Sequence, residues 1–176
     1  MQDRLKVIVR EANIGDVGAI ARVHVNAWRT TYRGIIPEDY LANLSYERRE
    51  KNWVQILKNG DGFVYVAIDE SGEIIGFACG GKERTGNAIY QGELMAIYIL
   101  EAYQGQGIGR RLTLAIVERL AMIEIHSMLV WVLTANPACK FYQAMGGEKV
   151  YEQQIAIGGV QLDEVAYGWK DTSIII

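Results

Sequence analysis

Residues that tie a chain together covalently or through metal are scarce in this sequence. Its two cysteines, Cys79 and Cys139, form no CxxC pair. A thiolate zinc site or a redox motif is therefore not expected, and both read as reduced thiols of a cytoplasmic protein. Basic charge is not in excess either. Eighteen Lys and Arg stand against 21 Asp and Glu, for a formal net charge of -3, which argues against a nucleic-acid partner. The one local basic pair is Arg110–Arg111. No apolar run approaches the roughly 18 residues of a membrane span. The opening MQDRLKVIVREAN has no apolar stretch followed by a small-residue cleavage site, so neither a signal peptide nor a membrane partner is expected. Only two prolines occur, Pro37 and Pro137, and both read as helix-start residues. Repeats, low-complexity stretches and Pro/Ser-rich linkers are missing, so one domain over residues 1–176 is the simplest organisation.

Half of the residues are hydrophobic and 22% are charged, a balance that fills a core without staples. Residues 5–10 are β-branched and alternate, which predicts a strand. Asn13 can cap a helix over 15–32, whose Val17, Ile20, Ala21, Val25 and Trp28 recur at helical spacing. Pro37 opens a short helix to Leu44, and Ser45 caps a third to about Leu57. Strands follow at 63–68 and 73–82 around an Asp69–Gly72 turn, then at 94–100. An apolar helix covers 107–123, a strand 128–134 and a helix 137–145, and two last strands flank Gly158–Gly159. The order β-α-α-α-β-β-β-α-β-α-β-β predicts an α/β fold, with a mixed sheet of about seven strands and helices on both faces.

The stretch that carries chemistry is ELMAIYILEAYQGQGIGRRL, residues 93–112. A buried strand enters a glycine-rich turn that opens a helix. The first turn of a helix leaves backbone N–H groups unpaired and carries partial positive charge. Glycines there let a phosphate approach those amides, and Arg110 and Arg111 add formal charge. Spacing sorts the candidate ligands. The triphosphate loop GxxxxGK[ST] is absent. Gly105, Gly107 and Gly109 give GxGxG, so Arg110 stands where the dinucleotide fingerprint needs its third glycine, and the turn does not follow the first strand. A tight turn without a ligand is the remaining plain alternative.

Two motifs together narrow this. Gln104-x-x-Gly107-x-Gly109, preceded by Ile97-Tyr98-Ile99-Leu100-Glu101-Ala102-Tyr103, closely resembles the coenzyme-A motif of the GCN5-related N-acetyltransferases. Asn136-Pro137-Ala138-Cys139-Lys140-Phe141-Tyr142, running on to Gly146, resembles that family's second signature. The separation of the motifs, the element order and the segment WRTTYRGIIPEDYL over 28–41 match as well. The resemblance thus spans nearly the whole chain and implies the acyl-CoA N-acyltransferase fold with its splayed sheet. One departure stands out: the family usually has an aromatic residue after the glycine that closes the second signature, and here Gly147 follows Gly146. That departure puts the shape of the acceptor pocket in question.

The resemblance implies acetyl transfer from acetyl-CoA, as co-substrate, to a primary amine, with no metal. Pyrophosphate would lie on the turn formed by Gln104, Gly105, Gln106, Gly107, Ile108, Gly109 and Arg110. Pantetheine would run beside Ile97, Tyr98 and Ile99 like an added strand, and Asn136 would bond the coenzyme's amide arm or simply cap the helix after it. Tyr142 matches the family's acid. Glu93 matches a glutamate that serves some members as base, or it is a solvated carboxylate at a strand start. His24 and His126 are weaker base candidates. Trp28, Tyr32 and Trp53 fall where the family builds an acceptor wall, unless they are core aromatics. The acceptor, whether small amine, polyamine, aminoglycoside or protein N-terminus, is left open. A non-catalytic acyl-CoA-binding regulator is the rival. The apolar tail Ile174-Ile175-Ile176 predicts packing on a partner subunit, as in a homodimer, or along the protein's own sheet edge.

Overall fold

Local sequence fixes the element ends. The computed structural model describes residues 6–176, so Leu5, at the start of the expected first strand, lies outside the described residues. The strand β1 spans Ile8–Glu11 and the helix α1 spans Val17–Thr31. Between them Asn13 and Asp16 form a reciprocal capping box, and Asp16 also holds Arg10 at 2.7 Å. The helices α2 (Glu38–Ala42) and α3 (Tyr46–Asn59) follow. The Ser45 side chain accepts from the Arg48 N–H to start α3, and Gly60 ends it in the left-handed region. Pro37 and Pro137 each stand just outside their helices rather than at the first helical position.

The sheet strands are β2 (Phe63–Ile68), β3 (Ile74–Lys82), β4 (Gly92–Ile99), β5 (Met128–Leu133), β6 (Glu148–Ile157) and β7 (Val160–Trp169). The helices α4 (Ile108–Ala121) and α5 (Ala138–Ala144) complete the described elements. Seven strands form one sheet in the order β1-β2-β3-β4-β5-β7-β6. Every neighbouring pair is antiparallel except β4 and β5. That parallel pair meets only at Gly92↔Met128 and Glu93↔Leu129. Beyond Glu93 the two strands part, so the sheet is mixed and splayed.

Alternation along the strands sends side chains to two layers. Phe77, Val64 and Val66 pack with Ile20, Val23 and Trp53 under α1 and α3. Leu94, Met128 and Val130 pack with Leu112, Ile116 and Leu120 of α4 on the other face. In β4 the alternation breaks: Met95 and Ala96 both lie on the α1/α3 side, and the register with β3 slips between Cys79 and Gly80. This bulge bends β4 where it leaves β5.

Of the C-terminal isoleucines, Ile175 packs on the protein itself, in the core rather than along the sheet edge. Asp171 caps a short 3-10 turn, Thr172–Ile174. Thr172 donates its N–H and its hydroxyl to the His126 carbonyl at 2.8 and 3.2 Å. The turn sends Ile175 into the protein's own larger core, where it is 4% exposed, while Ile176 stays 80% exposed. A chain ended at Asp171 is expected to lose about 2–3 kcal/mol of stability, the worth of one buried isoleucine, with no change in assembly state. Denaturant unfolding and light scattering check this; an unchanged unfolding midpoint would show that the tail contributes nothing.

Candidate active site

The site grows from the gap between β4 and β5. A strand at the centre of a seven-stranded sheet should be sealed, yet the second half of β4, Met95 to Ile99, is only partly buried. Its backbone pairs with β3 on one side and has no strand on the other from Leu94 onward. The gap therefore presents an open strand edge, with backbone N–H and C=O groups that no neighbouring strand among the described residues takes up.

At the end of β4 the chain enters the glycine turn. Gln104 folds back and donates its side-chain amide to the Ile99 carbonyl at 3.0 Å. Gln106 donates to the Ala102 carbonyl at 3.3 Å. Gly107 caps α4 with φ +81°, and no side chain caps the helix. Among the described residues, the N–H groups from Gly105 to Arg110 meet no acceptor. A Cβ at Gly105 or Gly107 would meet nothing within 4 Å. The turn is thus a set of free donors around open space at a positive helix end. Gly109 has a different role: a Cβ there would come within 3.1 Å of the Phe141 ring, so its smallness lets α5 approach. Arg110 is exposed beside the turn, whereas Arg111 turns away and donates to the Val7 carbonyl at 2.6 Å. Arg110 is therefore the member of the pair left without a hydrogen bond beside the turn, among the described residues, while Arg111 keeps its charge but directs it toward Val7.

On the α1 side of the gap lies a run of hydroxyls. Asn136 donates to the Tyr32 hydroxyl at 3.3 Å, and the Tyr32 and Tyr98 hydroxyls are hydrogen-bonded at 3.0 Å, either one donating. The Asn136 side-chain oxygen accepts from the Ala138 N–H at 2.9 Å, so Asn136 turns the chain into α5 ahead of its N-cap Pro137 and links it to α1. Burial pushes both phenols above their ordinary values, and the bonds to Tyr32 offset part of its rise. The Trp28 indole N–H approaches Tyr98 closely enough to lower its phenol slightly, yet it finds no acceptor in good geometry. Tyr142 is 4% exposed, with its ring among Phe141, Tyr167 and Trp169. Burial raises its phenol far above the usual value, with smaller pushes from Tyr32 and Cys139. Among the described residues its hydroxyl meets no hydrogen-bond partner. A sequence reading that assigned Tyr98 to backbone contacts and Tyr32 to a wall misses their pairing, because nothing in the spacing links residues 66 positions apart.

The remaining base candidates sit elsewhere. Glu93 is 3% exposed and not a solvated carboxylate. Arg84 holds both its oxygens, at 3.1 and 2.6 Å, at the point where β4 and β5 part. His24 is buried among Trp28, Trp53, Phe77 and Tyr98, and its Nδ1 accepts from the Trp53 indole at 3.2 Å. Burial, then Arg49, lowers its pKa to about 3, so it and Trp53 belong to the core. His126 precedes β5, at the end of that strand opposite the gap's mouth. Gly147 is explained by Trp169, whose indole donates to the Met145 carbonyl at 3.0 Å. A Cβ at Gly147 would lie 2.8 Å from that ring, so the aromatic missing after Gly146 is supplied from β7.

With this geometry in place, the comparisons with known proteins are direct. The Acetyltransferase (GNAT) family matches residues 24–146. The chain belongs to this family of acetyltransferases. It is 47% identical over 169 residues to an uncharacterized N-acetyltransferase, YuaI of Bacillus subtilis (strain 168), covering 96% of each chain. Among solved structures it resembles the PaiA N-acetyltransferase of Thermoplasma acidophilum in complex with coenzyme A (TM-score 0.72, 20% identity, 90% of this chain and 98% of that one). It also resembles yncA of Salmonella typhimurium with its cofactor acetyl-CoA (TM-score 0.71, 20% identity, 94% of each chain). At that identity the structural likeness speaks for the fold. Among the described residues no group of three His, Cys, Asp or Glu side chains could hold a metal, and no helix is long and apolar enough to cross a membrane.

Proposed function

We propose that residues 1–176 act as one acetyltransferase domain that moves an acetyl group from acetyl-CoA to a primary amine by direct attack. The observation that carries this reading is the unpaired edge of β4 running into the free N–H groups of the glycine turn. Together they fit a long ligand with an amide arm and a pyrophosphate. In this reading the amides of Gly105, Gln106, Gly107, Ile108, Gly109 and Arg110 hold the phosphates, with Gln104 bracing the turn. Ile97, Tyr98 and Ile99 bond the pantetheine arm through their backbone. Asn136 offers the second N–H of its amide to the same arm, its first being held by Tyr32.

The chemistry needed is removal of a proton from an alkylammonium, attack on a thioester, and departure of a thiolate. Tyr142 lies beside the gap with a free hydroxyl and donates to the leaving sulfur. A backbone N–H of β4 near the bulge stabilises the oxyanion. Glu93 occupies the family's base position, but accepting a proton there breaks its bidentate pair with Arg84. We therefore assign it an anchoring role, with the amine's proton leaving through the hydroxyls of Tyr32 and Tyr98 to water. Glu93→Gln is then expected to keep turnover within about threefold (~0.7 kcal/mol of barrier) while lowering stability by about 1–3 kcal/mol. A large loss of rate with a flattened acidic limb of the pH profile would restore Glu93 as base.

Thiol release from acetyl-CoA with a panel of amines tests the whole reading. Release with at least one amine is expected. Acetyl-CoA binding without release from any amine would instead favour a non-catalytic acyl-CoA-binding regulator.

A further inference from the structure

On the α1/α2 face of the β5-β7-β6 half-sheet lies a carboxylate that the chemistry above does not use. Glu164 of β7 pairs across the sheet with Leu133 on one side and Gln153 on the other. It is only 8% exposed. Gln153 donates its side-chain amide to Oε1. Oε2 has no hydrogen bond among the described residues, yet it is not sealed from solvent. No Lys, Arg or His among the described residues forms an ion pair with Glu164. One oxygen of this carboxylate is thus open to a ligand, and the neutral Gln153 amide supplies no cation to it.

The surroundings suit a cation. One row along the sheet, Trp131 and Tyr151 both lie opposite Ala166. The small side chain between them lets the two rings stack, with centroids 6.3 Å apart. Both rings stay partly exposed, and an ammonium gains from such ring faces. In the next row on the other side, Leu162 opens onto a groove of about 770 Å³ lined also by Arg29, Arg33, Glu38 and Leu41, so the groove itself is basic and the place for an ammonium is the Glu164 row. Glu164 is also near enough to Tyr32 for its charge to act on that phenol. The carboxylate and the Tyr32 phenol thus share the α1/α2 face of the half-sheet.

We propose that Glu164, with Trp131 and Tyr151 beside it, binds the ammonium group of the acceptor. Its substrates are then cationic amines rather than neutral nucleophiles. The proposal rests on the acetyl-transfer reading for the word acceptor, but the site itself is a property of the half-sheet. Calorimetric titration of the full chain, saturated with coenzyme A, tests it with spermidine, butylamine and alanine amide as probes and 1-butanol as the uncharged control.

At least one amine is expected to bind the parent chain and 1-butanol is not. Glu164→Gln, which keeps the shape and the cross-strand bond, should weaken that amine at least tenfold. Trp131→Leu should weaken it less. Both variants should keep the melting-temperature rise given by acetyl-CoA, which shows that they fold. An amine that binds Glu164→Gln as tightly as the parent overturns the proposal and leaves the coenzyme reading intact. So does a parent chain that binds none of the amines. Loss of the acetyl-CoA effect in the parent, with amine binding retained and lost on Glu164→Gln, would sink the coenzyme reading and leave the ammonium site standing.

Discussion

Gly107→Val is expected to abolish the rise in melting temperature that acetyl-CoA gives the parent chain. A ligand that binds only the folded state stabilises it by mass action, so the rise measures occupancy. Gly107 sits at φ +81° with nothing within 4 Å of where a Cβ would stand. That open space faces the free N–H groups at the start of α4, where a phosphate must come close. Valine fills the approach and also strains the turn, since a β-branched residue at positive φ costs about 1–3 kcal/mol. The variant's own melting temperature therefore falls, and only the ligand-induced rise is diagnostic. Gly60→Val separates the two effects. Gly60 has φ +67°, also in open space, at the end of α3. It should lower the melting temperature while keeping the full rise. A rise retained in Gly107→Val would end the phosphate assignment.

Tyr142→Phe is expected to cost 10- to 1000-fold in turnover, roughly 1.4 to 4 kcal/mol of barrier, with little change in melting temperature. The ring packs among Phe141, Tyr167 and Trp169, and phenylalanine keeps those contacts. The hydroxyl holds no partner whose loss would cost stability. A free phenol is already a weaker acid than a thiol by roughly 2 kcal/mol. Burial raises the Tyr142 phenol further, so complete proton transfer to the thiolate is uphill. In the proposed role the hydroxyl is a hydrogen-bond donor while charge builds on sulfur, and solvent finishes the protonation. The sign of the shift also bears on pH. With its pKa raised, Tyr142 keeps its proton throughout the assay range, so an alkaline fall in rate belongs to another group. Near-normal turnover in the phenylalanine variant, with saturating amine and chemistry rate-limiting, would remove Tyr142 from the acid role.

The elements were legible because their signals are local. Asn13, Ser45 and the Asp69–Gly72 turn each act over a few residues, and β2 begins and ends where alternation predicts. The glycine turn was legible for the same reason. What could not be read joins distant parts of the chain. Glu93 looks solvated in sequence because Arg84 reaches it across the turn between β3 and β4. Gly147 looks like a defect until Trp169 folds over it from the last strand. Arg111 looks like half of a phosphate clamp until the Val7 carbonyl, just ahead of β1, takes its guanidinium. The tail looks adhesive because Thr172 and the His126 carbonyl, which turn Ile175 inward, are 46 residues apart. Glu164 belongs to no motif, and only the cross-strand register gives it neighbours.

The parting of β4 from β5 makes the molecule an articulated body. One plate, β1 to β4, and another, β5 with β7 and β6, share a joint formed by Gly92, Glu93, Met128 and Leu129. The Arg84–Glu93 ion pair sits beside the joint, on the β3–β4 side alone. In the proposed reading, an extended ligand bonded along β4 would wedge between the plates and brace the joint from inside. The stiffness that aligned the reacting groups would then be the stiffness that product release had to undo.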